Sequence, residues 1–201
     1  MDKSTLITQI KQGIKNISIL QIVTVLLIVL PYFGMFFIHQ WYKNKSEQIE
    51  NARFIVISKQ EMRLSVYDYK GKELCKFPVA CGLNYGDKTT IGDMKTPEGI
   101  FRVSEIQKSA HWEHDFNDGK GEIKGAYGPF FIRLSVPGHS GIGIHGTHDP
   151  DSMEKRTTEG CIRLTNENLL KLVPMIHGGT VVIITASAED IKDKGKTLAK
   201  P

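Results

Sequence analysis

Cysteine is scarce in this chain. Its 201 residues hold three, Cys75, Cys81 and Cys161, with no Cys-x-x-Cys pair among them, so neither a zinc ligand set nor a disulfide framework is indicated. Cys75 and Cys81 share one β-like run, in which extended backbone holds them ~20 Å apart, beyond disulfide reach. Both are expected to be packed thiols. His111, His114, His139 and His148 lack carboxylate or cysteine partners at a recognisable ligand spacing, so no metal and no cofactor is expected. Net charge is absent from most of the chain as well. The formal +4 arises within residues 1–45, which carry five lysines and one aspartate; residues 46–201 hold 21 basic and 21 acidic side chains. A neutral domain presents no electrostatic footprint for a polyanion, which argues against nucleic acid as a partner.

A second absence is local. No charged residue occurs from Asn16 to Tyr42, and Ile17 to Ile38 is almost continuously apolar, long enough as a helix to cross a ~30 Å hydrocarbon layer. Pro31 and Gly34 would weaken a soluble helix but are tolerated in a membrane one, and Trp41-Tyr42 suits the aromatic belt at a membrane surface. A cleavable signal peptide has a shorter apolar region, about 7 to 15 residues, followed by a small-residue cleavage site. No Ala-x-Ala-like triplet follows here, so the expectation is an uncleaved anchor over residues 17–38. Lys3, Lys11 and Lys15 precede the span and Lys43 and Lys45 follow it. That small bias favours a cytoplasmic segment 1–16 and, beyond a linker at 39–52, a domain outside the membrane.

The stretch richest in chemistry runs from His145 to Leu164. A lone cysteine usually behaves as a small buried hydrophobe, but Cys161 directly follows Gly160, and His145 lies sixteen residues upstream at the end of a Gly-Ile-Gly-Ile run. Glycine lets backbone approach a reacting carbonyl closely, and the N–H groups of residues 160 to 163 are candidate oxyanion donors. The nucleophilic form of cysteine is the thiolate, which needs a base, and His145 is the candidate. Asp149-Pro150-Asp151 reads as the turn that brings the two together.

The pattern His145-Gly146-Thr147, followed by Thr158-Glu159-Gly160-Cys161-Ile162-Arg163, resembles the signature of the L,D-transpeptidase catalytic domain, the YkuD family of cell-wall enzymes. Upstream, Gly92-Asp93-Met94-Lys95-Thr96-Pro97-Glu98-Gly99 is similar to the same family's motif leading into a strand, and the resemblance covers about residues 53 to 185. It implies a mainly β, antiparallel or mixed β-sandwich with one soluble helix after Cys161, besides the transmembrane helix. It further implies that Cys161, deprotonated by His145, attacks the third residue of a peptidoglycan stem tetrapeptide and releases the terminal D-alanine. The thioester would then pass to an amine of a second stem or of an envelope protein, or to water in an L,D-carboxypeptidase or amidase. A non-catalytic wall-binding protein is the third alternative. Gly146, Gly160, Thr158 and Arg163 are the expected orienting or oxyanion-side residues, with the Gly146 carbonyl turning the ring of His145. Some relatives carry histidine where this chain has Glu159.

Elsewhere, Phe54 to Ser58, Arg63 to Tyr67 and Leu74 to Ala80 alternate as strands with turns at 59–61 and 69–72, a pattern of antiparallel hairpins. Thr96-Pro97-Glu98-Gly99 is a turn into a strand at Ile100 to Val103. Ser104 to Tyr127 has aromatics, histidines and glycines without periodicity, and is expected to be a long loop, a substrate-covering lid or a packed insertion. Phe130 to Ser135, Gly141 to His145 and Thr180 to Thr185 read as further strands. A helix follows Leu164, capped by Thr165 or Asn166, with Leu169, Leu170, Leu172 and Val173 as its apolar face. Residues 186–201, rich in Lys and Asp, are expected to be a mobile tail.

Overall fold

The computed structural model describes residues 2, 4, 5, 7, 18–116, 119 and 121–198. The expected cytoplasmic segment 1–16 therefore lies largely outside the described residues. The chain divides into two units, residues 1–49 and 50–201. In the first, helix α1 spans Ile19–Glu50 and buries none of its residues. It is the one helix among the described residues long and apolar enough to cross a membrane. The expected linker is thus helical as far as Glu50. Its Lys, Gln and Glu residues are good helix formers.

The second unit is built on one mixed sheet. Strands β1 (Arg53–Ser58), β2 (Arg63–Asp68) and β3 (Glu73–Pro78) form consecutive antiparallel neighbours. The turn between β2 and β3 is fixed by Asp68, whose Oδ1 accepts the N–H groups of Lys70 and Lys72, an Asx-type turn of the kind expected at residues 69–72. After the short β4 (Cys81–Gly82), β5 runs over Gly99–Lys108, past the predicted end at Val103. The extension follows from a change of partner. The start of β5 pairs with β12 (Val181–Thr185) and the rest with β8 (Phe130–Leu134). Strands β6 (Glu113–Asp115) and β7 (Glu122–Lys124) form a hairpin within the segment expected to be a loop. Strand β9 (Gly143–His145) lies beside β8, and β11 (Ile162–Arg163) closes the edge beside β9.

The order across the sheet is β11-β9-β8-β5-β12-β1-β2-β3. Pairs β1/β12 and β9/β11 are parallel, so the sheet is more mixed than hairpins alone would make it. Its two edges approach each other. Ala80, just past β3, exchanges backbone hydrogen bonds of 2.9 Å with Arg163 of β11, and β4 pairs with β10 (Arg156–Thr158). The sheet therefore curls around one core that includes Ile55, Leu64, Ile132, Ile144, Ile162 and Ile184. Helix α2 (Asn166–Leu172) packs against it through Leu169 and Leu172, both fully buried, each worth about 2 kcal/mol of apolar burial. Leu170, expected on the same face, is exposed. Thr165 is the N-cap.

A second soluble helix, α3 (Ala188–Leu198), replaces the expected mobile tail up to Leu198; residues 199–201 lie outside the described residues. Among its described side chains the attachment is ionic rather than apolar. Ser187 and Asp190 form a reciprocal cap, and the buried Asp190 carboxylate also meets Gly86 N at 2.6 Å, Arg156 Nη2 at 2.9 Å and Lys59 Nζ at 3.3 Å. Lys59, itself fully buried, bonds Glu98 at 2.7 Å. Buried charges are tolerated only when paired in this way.

Candidate active site

His145 ends β9 and is buried. Its ring stacks on Phe131 at 5.6 Å, with an interplanar angle of 5°, and meets the edge of Tyr127 at 5.0 Å. The Nδ1 atom lies 2.6 Å from the carbonyl of Gly146. That contact requires Nδ1–H to donate, which leaves the Nε2 lone pair free. The carbonyl is itself held. Gly146 N donates to Tyr127 O at 2.8 Å, and Asn166 brackets the next residue, accepting Thr147 N at 2.8 Å and donating to Thr147 O at 3.0 Å. A Cβ on Gly146 would collide with Asn166 Oδ1, so glycine is a condition of this clamp.

Cys161 follows a turn that Thr158 locks. The Thr158 hydroxyl donates to Cys161 O at 2.6 Å and accepts Gly160 N at 3.2 Å. Gly160 has φ +128, and a Cβ there would stand 2.7 Å from the carbonyl of Lys95. Its smallness thus serves a protein contact, where the sequence suggested room for substrate. Of the four backbone N–H groups expected near an oxyanion, three are spent within the fold: Gly160 N on Thr158, Ile162 N in the pairing of β11 with β9, and Arg163 N on Ala80 O at 2.9 Å.

The half-buried Cys161 and the buried His145 line one cavity of about 320 Å³, together with Tyr127, Arg163, Glu159 and Met94. In this state the thiol donates to Gly141 O at 3.3 Å. Burial pushes the Cys161 thiol up to about 11; the N–H of Gly143 opposes this, Glu159 adds to it, and Lys88 and Arg163 lower it. Burial likewise drives His145 down to about 3, against the pull of the Gly146 carbonyl and with repulsion from Arg163. Burial thus disfavours the ionised form of each group.

Arg163 is 5% exposed, so it is a buried residue of the site and not a surface cation. Nη1 reaches Ser152 Oγ at 3.1 Å, the guanidinium stands over Phe116 at 5.8 Å, and Nε has no partner among the described residues. Glu159 meets a histidine from elsewhere in the chain: Nε2 of His114, on β6, lies 3.2 Å from its Oε2. Trp112, just before that strand, packs on Phe131 and Tyr127 beneath His145. The hairpin is thus fixed to the floor of the site. Asn166, Tyr127, Phe131 and His114 were not read as site residues from the sequence. Phe131 had one usable signal, its place opposite the strand that delivers His145.

These features have a counterpart among known proteins. A family model described as the L,D-transpeptidase catalytic domain, YkuD, matches residues 52–184. The chain belongs to the L,D-transpeptidase catalytic domain family. It is 33% identical over 121 residues to YqjB of Bacillus subtilis (strain 168), a protein of that family, covering 58% of this chain and 68% of YqjB. Among solved structures, the helical cell shape determining protein Pgp2 of Campylobacter jejuni superposes with a TM-score of 0.51 at 26% identity, covering 68% of this chain and 48% of Pgp2. An L,D-transpeptidase from Mycobacterium smegmatis gives a TM-score of 0.50 at 20% identity, over 67% of this chain and 58% of that one, and shares the fold. The present chain thus spans about half the length of these two structures.

Proposed function

We propose that the chain is a membrane-anchored L,D-transpeptidase that acylates Cys161 with a peptidoglycan stem peptide and passes the acyl group to an amine. The observation that carries this reading is the placing of Cys161 and His145 in one cavity, with the ring of His145 oriented by the Gly146 carbonyl. Because burial disfavours both ions, thiolate forms as attack proceeds: Nε2 of His145 takes the Sγ proton while sulfur adds to the carbonyl of the third stem residue. Of the amides first considered for the oxyanion, we assign this task to that of Cys161, since those of Gly160, Ile162 and Arg163 are bonded inside the fold. Collapse of the tetrahedral adduct expels D-alanine, whose amine receives the proton from His145. Arg163, buried and charged beside the nucleophile, steadies the anionic intermediate and holds the loop at Ser152.

Intact-mass measurement after incubation with a stem tetrapeptide is the test. A tripeptide-acyl adduct is expected on the wild type and not on Cys161→Ala; a wild type that never acquires the adduct would sink the reading. Release of tripeptide without transfer, when an amine is supplied, would mark an L,D-carboxypeptidase instead. The anchor rests on the exposed, apolar α1. Full-length protein is expected to stay with membranes through a carbonate wash, and its release would remove the anchoring.

A further inference from the structure

Glu159 takes no part in the steps above, yet it stands two residues before the nucleophile with its side chain 43% exposed. It lines the cavity of Cys161 and also a second one of about 310 Å³, and the two share Met94, Phe116, Thr158 and Arg163. Cys161 and His145 border only the first. Among the described residues the second is walled by Asp149 and His148, both exposed, and by Glu159, with the nearly buried Arg163 as its one permanent cation. Its accessible charge is therefore negative. Behind Glu159, His114 Nε2 sits at 3.2 Å without an aligned hydrogen bond, its ring held between Phe116 at 4.5 Å and Tyr127 at 5.5 Å. A carboxylate at the meeting of two basins, backed by an imidazole whose Nε2 has no aligned partner among the described residues and reached from the acidic side, fits a primary ammonium group.

We propose that Glu159, backed by His114, receives the ammonium group of the acyl acceptor and takes its first proton, so that the second basin is the way in for a cationic amine. This rests on the transpeptidase reading and adds the acceptor's chemistry to it. The protons balance. The acceptor brings three on nitrogen: one passes to the Glu159–His114 pair and on to solvent. The neutral amine then adds to the thioester carbonyl. The second proton leaves through His145 to Sγ as the C–S bond breaks, and the third remains on the new amide.

The experiment uses the full-length protein in detergent, acylated by a stem tetrapeptide, and follows decay of the acyl-enzyme with two nucleophiles. One is Nα-acetyl-lysine amide, which carries an ammonium; the other is hydroxylamine, uncharged at mildly alkaline pH. Glu159→Gln is expected to slow transfer to the lysine derivative by roughly five- to tenfold, a modest figure for a half-exposed carboxylate, and transfer to hydroxylamine by less than about twofold. Glu159→Asp recovers part of the loss. Should the glutamine variant fail to fold, the wild type decides: raising salt from about 0.05 to 0.5 M weakens reaction with the lysine derivative and spares hydroxylamine. Equal losses for both nucleophiles, or none, would overturn the proposal. A wild type that forms no acyl-enzyme would instead remove the transpeptidase reading beneath it.

Discussion

Replacing Asp190 by alanine tests how the last helix is attached. One side chain caps α3, bonds the backbone of Gly86, pairs with Arg156 of β10 and lies 3.3 Å from the buried Lys59 beyond β1. The loop between Gly86 and Glu98 and the strand β10 flank the turn that carries Cys161, so the latch lies close to the site. Alanine leaves Lys59 with Glu98 and with the carbonyls of Gly86 and Thr96, and leaves Arg156 without its carboxylate. Breaking one side of a buried ionic cluster costs about 3–5 kcal/mol, which for a domain of this size lowers Tm by roughly 6 to 20 °C. The assay is thermal unfolding of the full-length protein in detergent, followed by far-UV circular dichroism. The pH dependence supplies a second reading. Burial by itself would raise the Asp190 carboxyl, but the Ser187 and Gly86 donors, aided by Lys59, hold it down to about 2 from an ordinary 3.8. A depressed carboxylate contributes stability that is present above about pH 4 and is lost as pH falls toward 2, here about 2 kcal/mol. His145, buried neutral, weakens the fold in the same direction between about pH 6.5 and 3. It does so in both proteins, so the difference between wild type and Asp190→Ala isolates the latch. A loss of stability under about 1 kcal/mol, with unchanged acid sensitivity, would refute the docking of α3.

Cys161 should alkylate slowly near neutrality, since a thiol at about 11 in place of 9 holds roughly a hundredth of the thiolate at pH 8. Its rate, followed by peptide mass to separate it from Cys75 and Cys81, is expected to rise about tenfold per pH unit from about 7 to 10; a plateau near neutral pH would reveal a resting thiolate–imidazolium pair instead. Asn166→Ala removes both hydrogen bonds to Thr147 and with them the clamp behind the Gly146 carbonyl. The expected cost is about 1–2 kcal/mol in unfolding free energy and a fall in kcat larger than any rise in KM. Asn166→Asp, which turns an acceptor toward the Thr147 carbonyl, should be worse still, and a fully active Asn166→Asp would show that the clamp does not position His145.

What the amino-acid sequence determined by itself is whatever depends on neighbours along the chain. Runs of β-branched residues set β1 and β12, and Leu64 and Val66 alternating with polar neighbours set β2; the uncharged run set the apolar helix; Thr165 and the leucines after it set α2. The motifs around His145 and Cys161 were legible because the chemistry needs fixed residue types at fixed local spacing, and the match over residues 52–184 has the same source. The charged residues after Ala186 were expected to be mobile because composition measures the capacity to bury apolar surface, whereas the described side chains of α3 are held by hydrogen bonds and ion pairs. Only the tertiary structure decided the rest. The curl that joins Ala80 to Arg163 buries an arginine whose burial no neighbour along the chain dictates. Asn166 reaches back to Thr147, and β6 brings His114 to Glu159, because a closed sheet juxtaposes positions far apart in the chain. No local pattern encodes such pairs, since the energy that selects them is that of closing the whole sheet over its core.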